Sequence, residues 1–300
     1  MIVIVNDSIR GVVSNEEILW SRLEKNLPNC IGVSLGQLEI PLEDKLASLK
    51  PDLVIQNANL GKISNYKTIS FLQDPLLEMR KYFEPLSVRL KAKIRGRQTF
   101  SDRIKKQLES FHGSIKVTNS NFMANMYKKM GSFEVIHLGV DHDLFKPLNK
   151  DELKKKYHIP DDRTVKIFVG SQNLIKGFEK IKKMIQGDTR IYWILVLKDS
   201  KLESGHNYTT FYQVSQNNLA ELYNCADQLV STSLLESFGL AMVEAMFCNI
   251  PVDAPKTGIF WDWSPSFNNP RKEALDYGLD KNTWMNNWKK FVSKYTQNCQ

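Results

Sequence analysis

Three hundred residues exceed the usual size of one domain, and 42% hydrophobic with 25% charged residues is the balance of a chain that buries a core, which excludes a disordered or low-complexity protein. The formal charge of +8 points to an acidic partner. Four cysteines, Cys30, Cys225, Cys248 and Cys299, show neither CxxC nor zinc-ligand spacing and read as free thiols of a reducing compartment, which makes the cytoplasm the expected location.

Along the chain, short apolar runs alternate with helix-length amphipathic segments, the pattern of βα units and parallel sheets. MIVIV at the start reads as a buried strand, being too short for a signal peptide's apolar region. Residues 52–55, 67–72, 114–118 and 134–138 extend a first sheet, with helices at 15–26, where Ile18, Leu19, Arg22 and Leu23 recur at helical spacing, and at 44–49. Within residues 80–106, ten cations (Arg80, Lys81, Arg89, Lys91, Lys93, Arg95, Arg97, Arg103, Lys105, Lys106) face only Glu84 and Asp102. That stretch is either a solvated helix face or a docking surface for an acidic membrane or phosphorylated acceptor. Its lack of interleaved aromatics weighs against nucleic acid.

The pattern restarts after Pro147. Helices are expected at 151–157, 177–185, 217–225 and 238–247, and strands at 165–170, 191–197, 228–231 and 250–253. The run at 191–197 is the longest comparable apolar one and is far short of a membrane span. This reading gives two doubly wound α/β domains, 1–146 and 147–268, and a tail, 269–300, packing back toward the first. On that tail Trp284, Trp288 and Phe291 form one helical stripe. Ligands of open α/β sheets bind beyond the carboxyl ends of the strands, so a cleft between two such domains is where chemistry is expected.

ESFGLAMVE, residues 236–244, sets an acid on each side of an expected helix start. A helix N-terminus carries unpaired N–H groups and partial positive charge, so it can hold phosphate. Gly239 lets the backbone come close to a ligand. Glu244, over a turn away, could accept a ribose diol, and Glu236 would face whatever lies on the other side of the phosphate. A nucleoside diphosphate joined to a sugar fits this order, as does a capped helix whose glutamates merely face solvent.

Three segments, one of them containing ESFGLAMVE, turn this into a resemblance. VTNSNFMANMYKKMGSFEVIHLGVDHDLFKP, FVGSQNLIKGFEKI and NNLAELYNCADQLVSTSLLESFGLAMVEAMFCNIPVDA, in that chain order, resemble the motifs of retaining GT-B glycosyltransferases of family 4. The resemblance implies a GT-B fold, with two Rossmann-like domains facing across a cleft, and a nucleoside diphosphate sugar as donor without a cofactor. It implies Lys176 on the diphosphate, Glu236 and Gln73 on donor sugar hydroxyls, and the backbone of Phe238, Gly239 and Leu240 on phosphate or sugar oxygens. Glu244 falls at the ribose position, Val214 at the nucleobase position, and Gly11 in the glycine loop that approaches the diphosphate from the first domain.

Several positions depart from the family. Ser171, followed by Gln172, stands where a phosphate-binding Arg is usual, with Arg10 or Lys198 as substitutes. Gln73, followed by Asp74, replaces a His, the glycine loop has one Gly, and Asn249 replaces a Gly. Lys176 and the helix N-terminus would stabilise the leaving diphosphate without a metal. Asp141-His142-Asp143 looks like a DxD metal motif but sits in the GT-B-like LGVDHDLF segment, where Asp141 reads as a turn residue. The five histidines show no zinc spacing and GSQNLIKG is no P-loop. Trp261-Asp262-Trp263 either packs or stacks on a sugar. The expected activity is transfer of a hexose from GDP-mannose or a UDP-sugar to a glycan, glycoprotein or lipid. A nucleotide-sugar epimerase, a DNA glycosyltransferase and a non-catalytic nucleotide-sugar-binding subunit are the alternatives.

Overall fold

The computed structural model describes residues 1–7, 15–83, 99–266 and 268–296. Gly11, Arg10 and most of the basic stretch lie outside these. The chain divides into two compact units, Met1–Ile136 with Met285–Gln300, and His137–Trp284. No helix among the described residues is long and apolar enough to cross a membrane.

The first unit runs β1 (Ile2–Asn6), α1 (Asn15–Asn26), β2 (Cys30–Ser34), α2 (Leu42–Leu49), β3 (Leu53–Asn57), β4 (Thr68–Leu72), α3 (Leu76–Phe83), α4 (Phe100–Ser110), β5 (Ile115–Thr118), α5 (Asn121–Met126) and β6 (Glu134–Val135). Its sheet is parallel, in the order β2-β1-β3-β4-β5-β6. Central strands buried on both faces need continuous apolar sequence, and IVIV and LVI provide it. Val3, Val5, Val33, Leu46 and Val54 form one core cluster. Elsewhere in the unit Phe71 of β4 meets Trp20 and Trp288 edge to face, at 5.9 and 5.3 Å between ring centroids. The expected stripe is present: Trp284, Trp288 and Phe291 are all buried.

The second unit runs α6 (Lys150–Tyr157), β7 (Val165–Gly170), α7 (Phe178–Gly187), β8 (Tyr192–Leu197), β9 (Tyr208–Tyr212), α8 (Gln216–Asn224), β10 (Gln228–Val230), α9 (Leu240–Phe247), β11 (Val252–Asp253) and α10 (Pro270–Asp276). It ends in the first residues of α11 (Lys281–Thr296). Its sheet is also parallel, ordered β11-β10-β7-β8-β9. Phe168, Phe178, Ile181, Ile185, Trp193, Leu195, Leu197 and Val230 form its main core cluster.

Two strands, β2 and β9, and three helices, α3, α4 and α5, go beyond the sequence reading, and β6 ends three residues early. Residues 137–146 are tied within the second unit. Val140 N–H donates to Leu279 O at 2.9 Å, and the Arg271 guanidinium donates to the carbonyls of His142, Phe145 and Phe247. A Cβ on Gly139 would come within 2.5 Å of the Trp284 side chain, so glycine permits this close approach.

Candidate functional site

β7 and β10 are neighbours, and the loops that leave their carboxyl ends are stitched together. Leu234 N–H donates to Ile175 O at 2.7 Å, and the Thr232 hydroxyl lies 3.0 Å from the carbonyl oxygens of both Lys176 and Gly177. Gly177 caps α7 at φ +67°, and a Cβ there would sit 2.3 Å from Thr232 O. Only glycine meets both demands without strain. The result is a fixed pairing of two side chains sixty residues apart: Lys176 Nζ donates to Glu236 Oε1 at 2.6 Å. Ser233 Oγ donates to the same oxygen at 2.7 Å, and Glu236 N–H donates to Thr257 Oγ1 at 2.9 Å. The Lys176 and Glu236 side chains are 30% and 14% exposed, so the pair is partly shielded yet reachable.

Three residues after Glu236, the chain turns into α9 through Gly239, at φ +102°. The helix begins at Leu240 rather than at Phe238 as expected, because glycine takes the left-handed conformation and ends the irregular loop there. Phe238 is buried and its carbonyl accepts Ile259 N–H at 2.8 Å. Gly258 lies beneath it at φ +60°. In the first turn of α9 the Met242 N–H already donates to Gly239 O at 3.0 Å, and the macrodipole adds partial positive charge where the Phe238, Gly239 and Leu240 backbone lies. Glu244, farther along α9, is 5% exposed and accepts the Tyr223 hydroxyl at 3.0 Å. Burial, reinforced by the Glu244 charge, pushes the Tyr223 hydroxyl well above the ordinary phenol range, so it stays a donor to that carboxylate.

Ser171 and Gln172 are engaged by a carboxylate of the chain itself. Ser171 Oγ and Gln172 N–H both donate to the Asp199 carboxylate at 3.1 Å, and Ser200 donates to Gln172 Oε1 through its N–H and its hydroxyl. This clasp joins the ends of β7 and β8. Val214 follows β9 after Gln213, whose φ is +48°, and the turn leads directly into Ser215, the cap of α8. Asn249 also has positive φ, +64°, a conformation Asn tolerates better than most residues. Its place where the family tends to have Gly is therefore a compatible replacement.

Gln73 lies in the first unit, immediately beyond β4, and is 9% exposed. Its Nε2 has no hydrogen-bond partner among the described residues, nor has Oδ1 of Asn119, which follows Thr118, the register partner of Leu72. Asp74 accepts a hydrogen bond from Asn59, and burial raises its carboxyl above the ordinary range. Gly11 lies outside the described residues.

The suspected metal motif has another role. Lys281 Nζ donates to Asp141 Oδ1 at 2.8 Å and to Asp143 Oδ2 at 2.7 Å, while Asp141 Oδ1 also accepts the Asp143 N–H at 3.2 Å, as a turn residue does. Among the described residues no three His, Cys, Asp or Glu side chains are grouped to hold a metal. Trp263 stacks on Tyr277 at 4.7 Å and is packing, whereas Trp261 is 42% exposed. Sequence reasoning missed Ser233, Thr257, Tyr223 and Asp199. Ser233 was within reach, since a Ser hydroxyl three residues before a Glu is near enough along the chain to donate to its carboxylate, as it does here.

Residues 149–260 match the family described as Glycosyl transferases group 1. Ser171, Lys176, Val214, Glu236, Phe238, Gly239, Leu240 and Glu244 fall inside the match, and Gln73 and Gly11 outside it. The chain is 30% identical over 145 residues to a D-inositol 3-phosphate glycosyltransferase of Mycolicibacterium smegmatis, covering 42% of this chain and 32% of that relative. It thus spans about a third of the length of that curated relative. Among solved structures, sucrose-phosphate synthase from Thermosynechococcus elongatus aligns with a TM-score of 0.68 at 16% identity, over 99% of this chain and 94% of that one. Anabaena HepE in complex with UDP and glucose aligns with a TM-score of 0.62 at 16% identity, over 98% and 95%. These whole-chain likenesses, with two parallel-sheet α/β units, show a GT-B fold.

Proposed function

We propose that this chain is a retaining, metal-independent glycosyltransferase that moves a hexose from a nucleoside diphosphate sugar, GDP-mannose or a UDP-sugar, to a hydroxyl of a glycan, glycoprotein or lipid. The observation that carries the reading is the juxtaposition of Lys176, Glu236 and the Gly239 helix start at one sheet edge, inside the group 1 match. The names of the relatives support sugar transfer, and the HepE complex supports a nucleoside diphosphate as leaving group.

In this reading Lys176 and the α9 N-terminus take up the charge that develops on the diphosphate as the bond from the anomeric carbon to phosphate oxygen breaks. The acceptor hydroxyl attacks from the same face, its oxygen bonds the anomeric carbon, and its proton passes to the departing phosphate. Glu236 accepts hydroxyls of the donor sugar, Gln73 donates its amide N–H to another, Glu244 accepts the ribose, and the Val214 backbone holds the base. Gly11 adds backbone from the first-domain loop. Ser171, standing where the resembling family has Arg, offers no cation, so Lys176 carries more of the diphosphate charge. The basic residues within 80–106 hold the chain at an acidic membrane surface.

Incubation with GDP-mannose, UDP-glucose and UDP-N-acetylglucosamine in the presence of chelator tests the reading through nucleoside diphosphate release. Release from one donor is expected. Tight binding with no release, with or without candidate acceptors, would favour a non-catalytic binding subunit.

A further inference from the structure

We infer that the Lys176–Glu236 pair discriminates an intact nucleotide sugar from the free nucleoside diphosphate, weakening the hold on the product that transfer leaves behind. The inference rests on the function proposed above. Its starting point is that the cation proposed for the diphosphate and the acid proposed for the sugar satisfy each other, at 2.6 Å.

A diphosphate competes with Glu236 for the Lys176 ammonium. The pair is partly shielded, at 30% and 14% side-chain exposure, so drawing the ammonium away leaves a carboxylate that water compensates less well than at an open surface. Glu236 cannot follow the ammonium. Ser233 holds the same oxygen, Oε1, at 2.7 Å, and Thr257 fixes the Glu236 N–H at 2.9 Å. Leu234 and Thr232 fasten the surrounding loop to the Lys176 loop, so the carboxylate stays where the sugar belongs. Ser233 is thereby a positioning residue.

The two ligands then differ in what they return to Glu236. A nucleotide sugar brings hydroxyls that donate to the carboxylate as the ammonium leaves it, and charge-assisted hydrogen bonds of this kind are among the stronger ones. A free nucleoside diphosphate brings none, and it sets its own negative charge nearer an acid that has lost its cation. Glu236 therefore works for the donor and against the product.

Calorimetric titration of UDP, GDP and their hexose conjugates into the wild type, Glu236→Gln, Glu236→Ala and Lys176→Ala tests this. The amide variant is isosteric and can still accept the Ser233 hydroxyl, but it has no charge with which to hold Lys176. Both Glu236 variants are expected to bind the free diphosphate at least about threefold more tightly than wild type and the nucleotide sugar more weakly; a shift of that size is under one unit of the tenfold-per-1.4 kcal/mol scale. Lys176→Ala is expected to lose affinity for both ligands. Unchanged or weaker diphosphate binding in both Glu236 variants would overturn the inference and leave the proposed function standing. Failure of every nucleotide and nucleotide sugar to bind the wild type would overturn the proposed function and the inference with it.

Discussion

At the scale of single residues, the candidate site depends on glycines that nothing else replaces. Gly258 has φ +60°, and a Cβ there would approach Phe238 O to 2.3 Å and Glu236 Cβ to 3.1 Å. Gly258→Ala is expected to cost about 1–3 kcal/mol in denaturant titration, from backbone strain and the displaced loop. It should also weaken nucleotide-sugar binding, because Glu236 and Phe238 stand on that backbone; unchanged stability would show that the loop yields without cost. The acid on each side of the helix start was legible from ESFGLAMVE alone, and the Ser233 spacing was there to be read. Thr257 was not, since its contact with Glu236 exists only because the chain returns after β11 to lie beneath the loop. The mutual pairing of Lys176 and Glu236 was not legible either, because the two meet only where the loops after β7 and β10 are hydrogen-bonded to each other.

At the scale of elements, burial explains what the sequence disclosed. Strands enclosed on both faces, such as β1, β3 and β8, are continuous apolar runs and were read within a residue or two. The missed strands, β2 and β9, are both edge strands, and their half-exposed sequences CIGVS and YTTFY lack that signal. Helix α4 was hidden in a charge-rich stretch, although Thr99 and Asp102 make a reciprocal capping box at its start. One acid joins several elements of the second unit. Asp227, just before β10, accepts Val165 N–H of β7 at 2.7 Å and pairs with Lys150 of α6. Burial raises its carboxyl pKa, but the Lys150 hydrogen bond, the Val165 N–H and the Lys150 charge outweigh this and hold it below the ordinary value. A depressed native pKa means that the contribution is full above the unfolded value, about pH 4, and is lost as pH falls through the native one. The stability difference between wild type and Asp227→Asn should therefore be constant near neutrality and shrink below about pH 4. A difference that grew on acidification would contradict the assigned pairing.

At the scale of the whole molecule, the GT-B fold was readable because alternating βα units constrain architecture more than they constrain individual residues. The structural neighbours make the same point, with a TM-score of 0.68 at 16% identity. The residues proposed for the donor side could be named because their motifs are local and lie within residues 149–260. The proposed base and acceptor contacts have no such motif, because backbone contacts of the kind proposed around Val214 would leave no side-chain signature, and Gln73 and Gly11 lie outside that segment. The central claim is that Lys176, the Gly239 helix start and Glu244 hold one nucleotide sugar without a metal. Calorimetric titration with GDP-mannose, UDP-glucose and UDP-N-acetylglucosamine in chelator, on wild type, Lys176→Ala and Glu244→Ala, tests it most directly. The account predicts that one nucleotide sugar binds the wild type in chelator and that each variant weakens it by about tenfold or more, the loss of a charge-assisted contact. Binding that vanishes with chelator, or that persists at wild-type strength in both variants, would contradict it.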